Sequence, residues 1–213
     1  MDRRVKRTIN AIESAFIQLL KTYDLEEITI QQIADLADIN RATFYTYYQD
    51  KYELLTTLED REIERIKEKV DHNKLRQTIM NDADNIKNLI KETPQQVIQV
   101  ILKNITLYEV LFNMKRESRI EAKLSESIAQ KITLVVKNQK DINGIPFRYF
   151  HSFYAGVAIS CIKFWVLDPN RIPEDEFIEH IYTLMYKGPL QQLISEVSKQ
   201  STSQSSTIQW HEL

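Results

Sequence analysis

Residues 28–51 read ITIQQIADLADINRATFYTYYQDK, and the fold follows from how this stretch is parsed. Thr29 and Gln32 have the T-x-x-Q spacing of a capping box, in which hydroxyl and amide satisfy two orphan backbone donors at a helix start. Ile33 and Ala37 then lie one turn apart on one face of a short helix, with the small Ala34 suited to a close helix crossing. Asp38-Ile39-Asn40 is a three-residue break. Asp tolerates the left-handed conformation better than most non-glycine residues, and Asn40 is a strong N-cap for the next helix. That helix, Arg41 to Tyr48, turns Phe44 and Tyr48 to the core at i, i+4. It leaves Arg41, Ala42, Thr43, Tyr45, Thr46 and Tyr47 outward. Two short helices joined by a tight turn, the second presenting Arg, Thr and Tyr, describe a helix-turn-helix.

Residues 29–55 resemble the signature of the TetR family of bacterial transcriptional repressors. The likeness is carried by Ile33-Ala34, Ala37-Asp38-Ile39-Asn40, Thr43-Phe44-Tyr45, Tyr47-Tyr48, Asp50-Lys51 and Leu54-Leu55. Asp38 stands at the family's usual turn glycine, Ala42 at a usual small glycine, and Tyr47 at a frequent histidine. The resemblance implies an all-α fold: a three-helix DNA-binding head over 1–50, then a helical effector-binding and dimerisation domain over 51–197. Residues 198–213, SKQSTSQSSTIQWHEL, read as a disordered tail. It also implies a DNA surface. Arg41 would meet a guanine edge and Ala42 a thymine methyl. Thr29, Thr43, Tyr45, Tyr47 and Lys51 would bond phosphates and set the register.

Composition agrees with a helical protein. Among 213 residues there are 3 Gly and 5 Pro, too few for turn-rich sheets or glycine phosphate cradles. A single Cys excludes an internal disulfide and fits a reducing cytoplasm. Apolar runs are expected to fall short of the roughly 18 residues of a membrane span, so a cytoplasmic protein with no membrane partner is expected. The net charge of −2 hides a local footprint, because Arg3, Arg4, Lys6 and Arg7 cluster at the amino end. These residues, Arg3 and Arg4 foremost, form either an arm on DNA or a solvated terminus, and both readings stay open.

Val5, Ile9, Ile12, Phe16 and Leu19 recur at helical spacing, predicting a first helix that closes the head. Asp50 caps a long helix to about residue 71, with Leu54, Leu55, Leu58, Ile63, Ile66 and Val70 apolar. Its charged stretch 59–71, EDREIERIKEKVD, is expected to face water. This helix is the natural mechanical link between the two domains. Further helices are expected over 75–91, from an N-cap at Thr93 with Pro94 at the first helical position, and over 117–138. Asn143-Gly144-Ile145-Pro146 is the clearest break. Residues 146–167 form an almost wholly apolar helix, expected to be buried on every side, in part by a partner chain. With 174–197 it is expected to build a homodimer interface, a pair that also looks like the family's four-helix dimer bundle.

His72, His151, His180 and His211 are scattered, without metal-ligand spacing, so no metal or cofactor is expected. No glycine-rich phosphate loop or nucleophile elbow is present, and catalysis is not expected. Tyr108, Phe112, Met114, Tyr149, Phe153, Tyr154 and Trp165 are candidates for an effector pocket, though core and dimer packing account for each as well. The reading is a homodimeric regulator, in the main a repressor, that binds a near-palindromic double-stranded operator and is released by an unknown small molecule. An all-helical adaptor whose helix-turn-helix binds protein is the alternative.

Overall fold

The computed structural model describes residues 3–70, 83–114, 118–135 and 140–194, with only the backbone of 83–91 and 134–135. The chain divides into two compact units, Met1–Arg171 and Ile172–Leu213. In the first unit, α1 (Arg3–Leu20) is followed by a 3-10 turn (Leu25–Glu27), α2 (Ile30–Leu36), α3 (Arg41–Tyr47) and the long α4 (Lys51–Lys69). Then come α5 (Ala83–Lys103), α6 (Ile105–Asn113), α7 (Ile120–Val135), a two-stranded hairpin of β1 (Asp141–Ile142) and β2 (Ile145–Pro146), and α8 (Phe147–Leu167). The second unit contains α9 (Glu174–Lys187).

The amino-terminal helices form as their sequence dictates. Ile12, Ala15 and Phe16 of α1 are buried with Ile33 and Ala34 of α2 and with Phe44 of α3. α1 packs on α2, and α2 on α3, closing a three-helix head. α1 also packs on α6, while α4 packs on α5 and α7, so the head and the following helices share one core. The 50/51 junction is the N-cap of α4: Asp50 accepts from the backbone N–H of Tyr52 and of Glu53, both at 2.8 Å.

Three expectations are corrected. α5 runs unbroken through Thr93 and Pro94, so no helix starts there. Proline locks φ near the helical value, and inside a helix it removes one backbone hydrogen bond without forbidding the turn. The charged stretch of α4 does not simply face water: Glu59 and Glu62 are each 1% exposed. Both lie on the apolar stripe with Leu55 and Ile66, at i, i+4, i+7 and i+11, which a packed helix buries whatever its residues. Within one chain α8 is buried along one side, through Ala155, Ile159, Ile162, Trp165 and Val166, whereas Tyr149, Phe153 and Phe164, on the side expected to meet a partner chain, are 59%, 69% and 76% exposed. At 21 residues it is also long and apolar enough to cross a membrane by length and composition, contrary to the expectation that no run reaches that size. Core helices of water-soluble proteins meet the same criterion, and Lys163 of α8 is tied to Glu121 of α7 at 2.6 Å.

The break at 143–146 is a tight hairpin. Asn143 (φ 52°) and Gly144 (φ 80°) take the paired positive angles of a two-residue turn whose twist suits antiparallel strands. The helix expected over 117–138 appears as α7, and the first part of the one over 75–91, with Leu75 and Ile79, lies outside the described residues. So does the tail at 198–213. α9 opens on Glu174, Asp175 and Glu176, acidic residues where the helix dipole favours them. It ends at Gly188 (φ 76°), and residues 189–194 are helical again.

Lys131 of α7 is half-buried, and burial pushes its ammonium down to about 8 from 10.5. Between those values the unfolded chain holds more protons than the folded one, so the penalty is fully present below pH 8 and disappears as pH rises to 10.5. Lys131→Met should therefore be more stable than wild type at pH 7, and the gap should shrink at pH 10. Urea titrations of both proteins at the two pH values measure this; an unchanged gap would refute it.

Candidate nucleic-acid interface

The surface is assembled from two capped helices and the turn between them. At the start of α2, Gln32 accepts from the backbone N–H of Thr29 at 2.7 Å, while the Thr29 hydroxyl accepts from the N–H of Gln32 at 3.2 Å. The capping box read from the sequence is thus formed on both sides. Asp38 carries the reversal at φ 54°, in the left-handed region. Asn40 caps α3, its side-chain oxygen accepting from the N–H of Thr43 at 2.8 Å and from the Thr43 hydroxyl at 2.9 Å. Each cap is worth about 1 kcal/mol to a helix of only two turns.

α3 turns Phe44 inward and Arg41, Ala42, Tyr45 and Thr46 outward, with Thr43 and Tyr47 half-exposed. Arg41 donates to the Tyr45 hydroxyl at 3.0 Å, and its guanidinium sits 5.5 Å from the centre of that ring. The ring of Tyr45 in turn meets Phe44 edge-on at 5.7 Å. The arginine is thereby stacked and oriented, which lowers the entropy lost when its planar fork engages an acceptor. Arg3, Arg4, Lys6, Arg7 and Asn10 line one open hollow at the start of α1.

Lys51 is placed differently. Its Nζ donates to the carbonyls of Glu26 at 3.0 Å and Ile28 at 2.9 Å, and lies 5.4 Å from the centre of the Tyr52 ring. Two of its three donors therefore hold the 3-10 turn against α4, and one remains for an outside acceptor. The Tyr52 hydroxyl donates to Glu26 at 2.9 Å and supports the same junction.

Sequence reasoning missed the group that holds the head together. The Tyr48 hydroxyl, one residue past α3, donates to Glu13 of α1 at 2.8 Å. Arg61 of α4 donates to both oxygens of the same carboxylate, each at 2.7 Å. Burial, then Glu13, pushes the Tyr48 phenol well above its ordinary range, and Glu13 also raises the Arg61 guanidinium. A signal was present: Glu13 falls on the apolar stripe of α1 between Ile9 and Phe16, where an unpaired carboxylate would be costly.

The candidate pocket residues differ in exposure. Tyr108 and Phe112 of α6 are fully buried, ring to ring at 6.1 Å. Burial and the neighbouring Glu62 charge push the Tyr108 phenol far up. Trp165 is buried under Arg171, whose guanidinium lies 5.9 Å from the ring centre. Met114 and Tyr154 are half-buried, whereas Tyr149 and Phe153 stand on the exposed side of α8.

A head of this construction defines a helix-turn-helix protein with a helical second part. Two family profiles match it: bacterial regulatory proteins of the tetR family over residues 13–58, and a transcriptional regulator C-terminal region over 88–187. An uncharacterized HTH-type transcriptional regulator of Bacillus subtilis, YxbF, is 27% identical over 193 residues, 88% of this chain. The chain spans about half of that relative's length, 48%. A putative TetR-family regulator from Syntrophomonas wolfei has the same fold at a TM-score of 0.65 and 19% identity, covering 85% of this chain and 94% of that one. NalD of Pseudomonas aeruginosa, the secondary repressor of the MexAB-OprM multidrug efflux pump, aligns at 0.60 and 18% identity, covering 88% and 98%. The chain belongs to the TetR family of transcriptional regulators, which are not enzymes.

Lys51→Met keeps the length of the side chain and removes both bonds to the 3-10 turn. It should lower stability by about 1.5–3 kcal/mol, the range for hydrogen bonds to a charged group. Guanidinium unfolding followed by far-UV circular dichroism measures it, and a loss below experimental error would mean these bonds do not hold the junction.

Proposed function

We propose that the chain is a sequence-specific DNA-binding regulator, acting as a homodimeric repressor that a small molecule releases from its operator. The observation that carries this reading is α3 itself, a capped helix whose outward face is Arg41, Ala42, Thr43, Tyr45 and Tyr47 while Phe44 and Tyr48 anchor it. Arg41 is the base-reading side chain, bidentate to a guanine edge, and the Ala42 methyl meets a thymine methyl. Thr29, Thr43, Tyr45 and Tyr47 position the backbone, joined by the basic start of α1 through Arg3 and Arg4. Lys51 gives the phosphate its one uncommitted donor.

Two such heads in successive major grooves stand about 34–36 Å apart, which selects a near-palindromic site. The dimer forms through 146–167 and 174–197, where the exposed Tyr149, Phe153 and Phe164 of α8 supply apolar surface. The second domain begins at residue 51, and the effector sits beside Tyr108 and Phe112. A cytoplasmic location suits these partners. NalD, a repressor of an efflux pump, supports repression as the sense of control.

Selection from a random-sequence duplex pool tests the reading. Enrichment of a palindrome is expected; no enrichment would favour a head that binds protein. On the selected duplex, Arg41→Ala should cost about 1–3 kcal/mol and relax preference at one base position. Unchanged affinity and selectivity would remove Arg41 from the interface.

A further inference from the structure

We infer that Tyr45 is a positioning residue for base reading. Its hydroxyl accepts from the Arg41 guanidinium and gives its own proton to a phosphate, so one hydrogen-bonded chain ties the base contact to the backbone contact. The inference rests on the DNA-binding reading of α3 and specifies how that helix selects a base.

The geometry starts from an anchored ring. Phe44 is fully buried, and the Tyr45 ring meets it edge-on at 5.7 Å with the two planes at 90°. That arrangement puts the positive edge of one ring against the negative face of the other. One turn earlier on the same face of α3, Arg41 is long, flexible and exposed. Its Nη2 donates to the Tyr45 hydroxyl at 3.0 Å, and the guanidinium carbon lies 5.5 Å from the ring centre. An arginine that would otherwise sample many rotamers is therefore held at its tip by a neighbour anchored in the core of the head.

Donors and acceptors decide what Tyr45 does with its proton. The hydroxyls of Thr43 and Thr46 both give theirs inward, to the Asn40 side chain at 2.9 Å and to the Ala42 carbonyl at 3.2 Å. An arginine only donates, so in the Arg41 pair the Tyr45 oxygen is the acceptor. The Tyr45 O–H meets no acceptor among the described residues and is free for a phosphate. Arg41 spends one guanidinium N–H on the pair and keeps a two-donor edge for the O6 and N7 of guanine. A phosphate oxygen, the Tyr45 hydroxyl, Arg41 Nη2 and a base acceptor then stand in one row. Three bonds of ordinary length span about 8–9 Å, and the major groove is about 8.5 Å deep. A neutral phenol on a phosphate releases no counterion, so it contributes register and not general attraction. Because both bonds share one oxygen, phosphate and base are satisfied together only when α3 lies in one register along the groove.

The experiment uses the full chain and the selected duplex, with guanine or 7-deazaguanine at the base whose preference Arg41→Ala relaxes. 7-Deazaguanine lacks the N7 acceptor and still pairs with cytosine. Binding is followed by fluorescence anisotropy across a salt series. Wild type should prefer guanine by about tenfold, within the range for one bidentate pair. Tyr45→Phe keeps the ring and loses the hydroxyl, so its preference should fall below about threefold while the salt slope stays unchanged. Thr46→Ala, which removes a hydroxyl spent within its own helix, should keep the wild-type preference. In an Arg41→Ala background, Tyr45→Phe should leave the remaining preference where it is. A ratio between two duplexes cancels any difference in folded fraction, so a merely structural role for Tyr45 would not move it. Wild-type preference in Tyr45→Phe overturns the positioning role, as does an affinity loss equal on both duplexes, which would make Tyr45 a phosphate contact alone. A wild type that binds duplex without preferring guanine, or an Arg41→Ala that relaxes no position, overturns the inference and leaves DNA binding standing. A wild type that enriches no duplex overturns the DNA-binding reading, and the inference with it.

Discussion

One carboxylate, that of Glu13, fixes the amino-terminal half of this protein. It is nearly buried, at 8% exposure, on the face of α1 that otherwise carries Ile12, Ala15 and Phe16. A carboxylate there survives only if its oxygens are occupied. Arg61 takes both, and the Tyr48 hydroxyl shares one of them. Three helices are thereby tied at a single point: α1 by the carboxylate, α4 by the guanidinium, and α3 by the residue that ends it. The Tyr48 ring, 5.8 Å from that of Phe44, carries the same restraint into the apolar core of the head.

α4 extends this logic. Its apolar positions Leu54, Leu55, Leu58, Ile63 and Ile66 would suffice to pack it, yet Glu59 and Glu62 share its buried stripe. Each acid is met by donors from the segments that start α6 and α7. Desolvating two carboxylates is expensive, and these donors offset that cost.

The second half is organised around α8. Its buried side meets α7 and α6, while the other side leaves three large aromatic residues in contact with solvent within one chain. Arg148 stacks over Tyr149 at 4.8 Å from the ring centre, and the half-buried Phe150 lies parallel to Tyr154 at 6.3 Å.

Local rules settled much of this protein from sequence. The capping box at Thr29, the left-handed Asp38, the caps at Asn40 and Asp50, and the helical spacing of α1 each depend on residues within about one turn of one another. The outward set on α3 followed from the same periodicity. Pro94 misled because its stop signal is conditional: the same ring that opens a helix can sit within one. Periodicity alone places Glu13, Glu59 and Glu62 on buried stripes, but what the sequence could not decide was which groups would meet them. Their partners lie 35 to 60 positions away, and no local pattern encodes the identity of a partner across the fold; only tertiary packing brought those partners together.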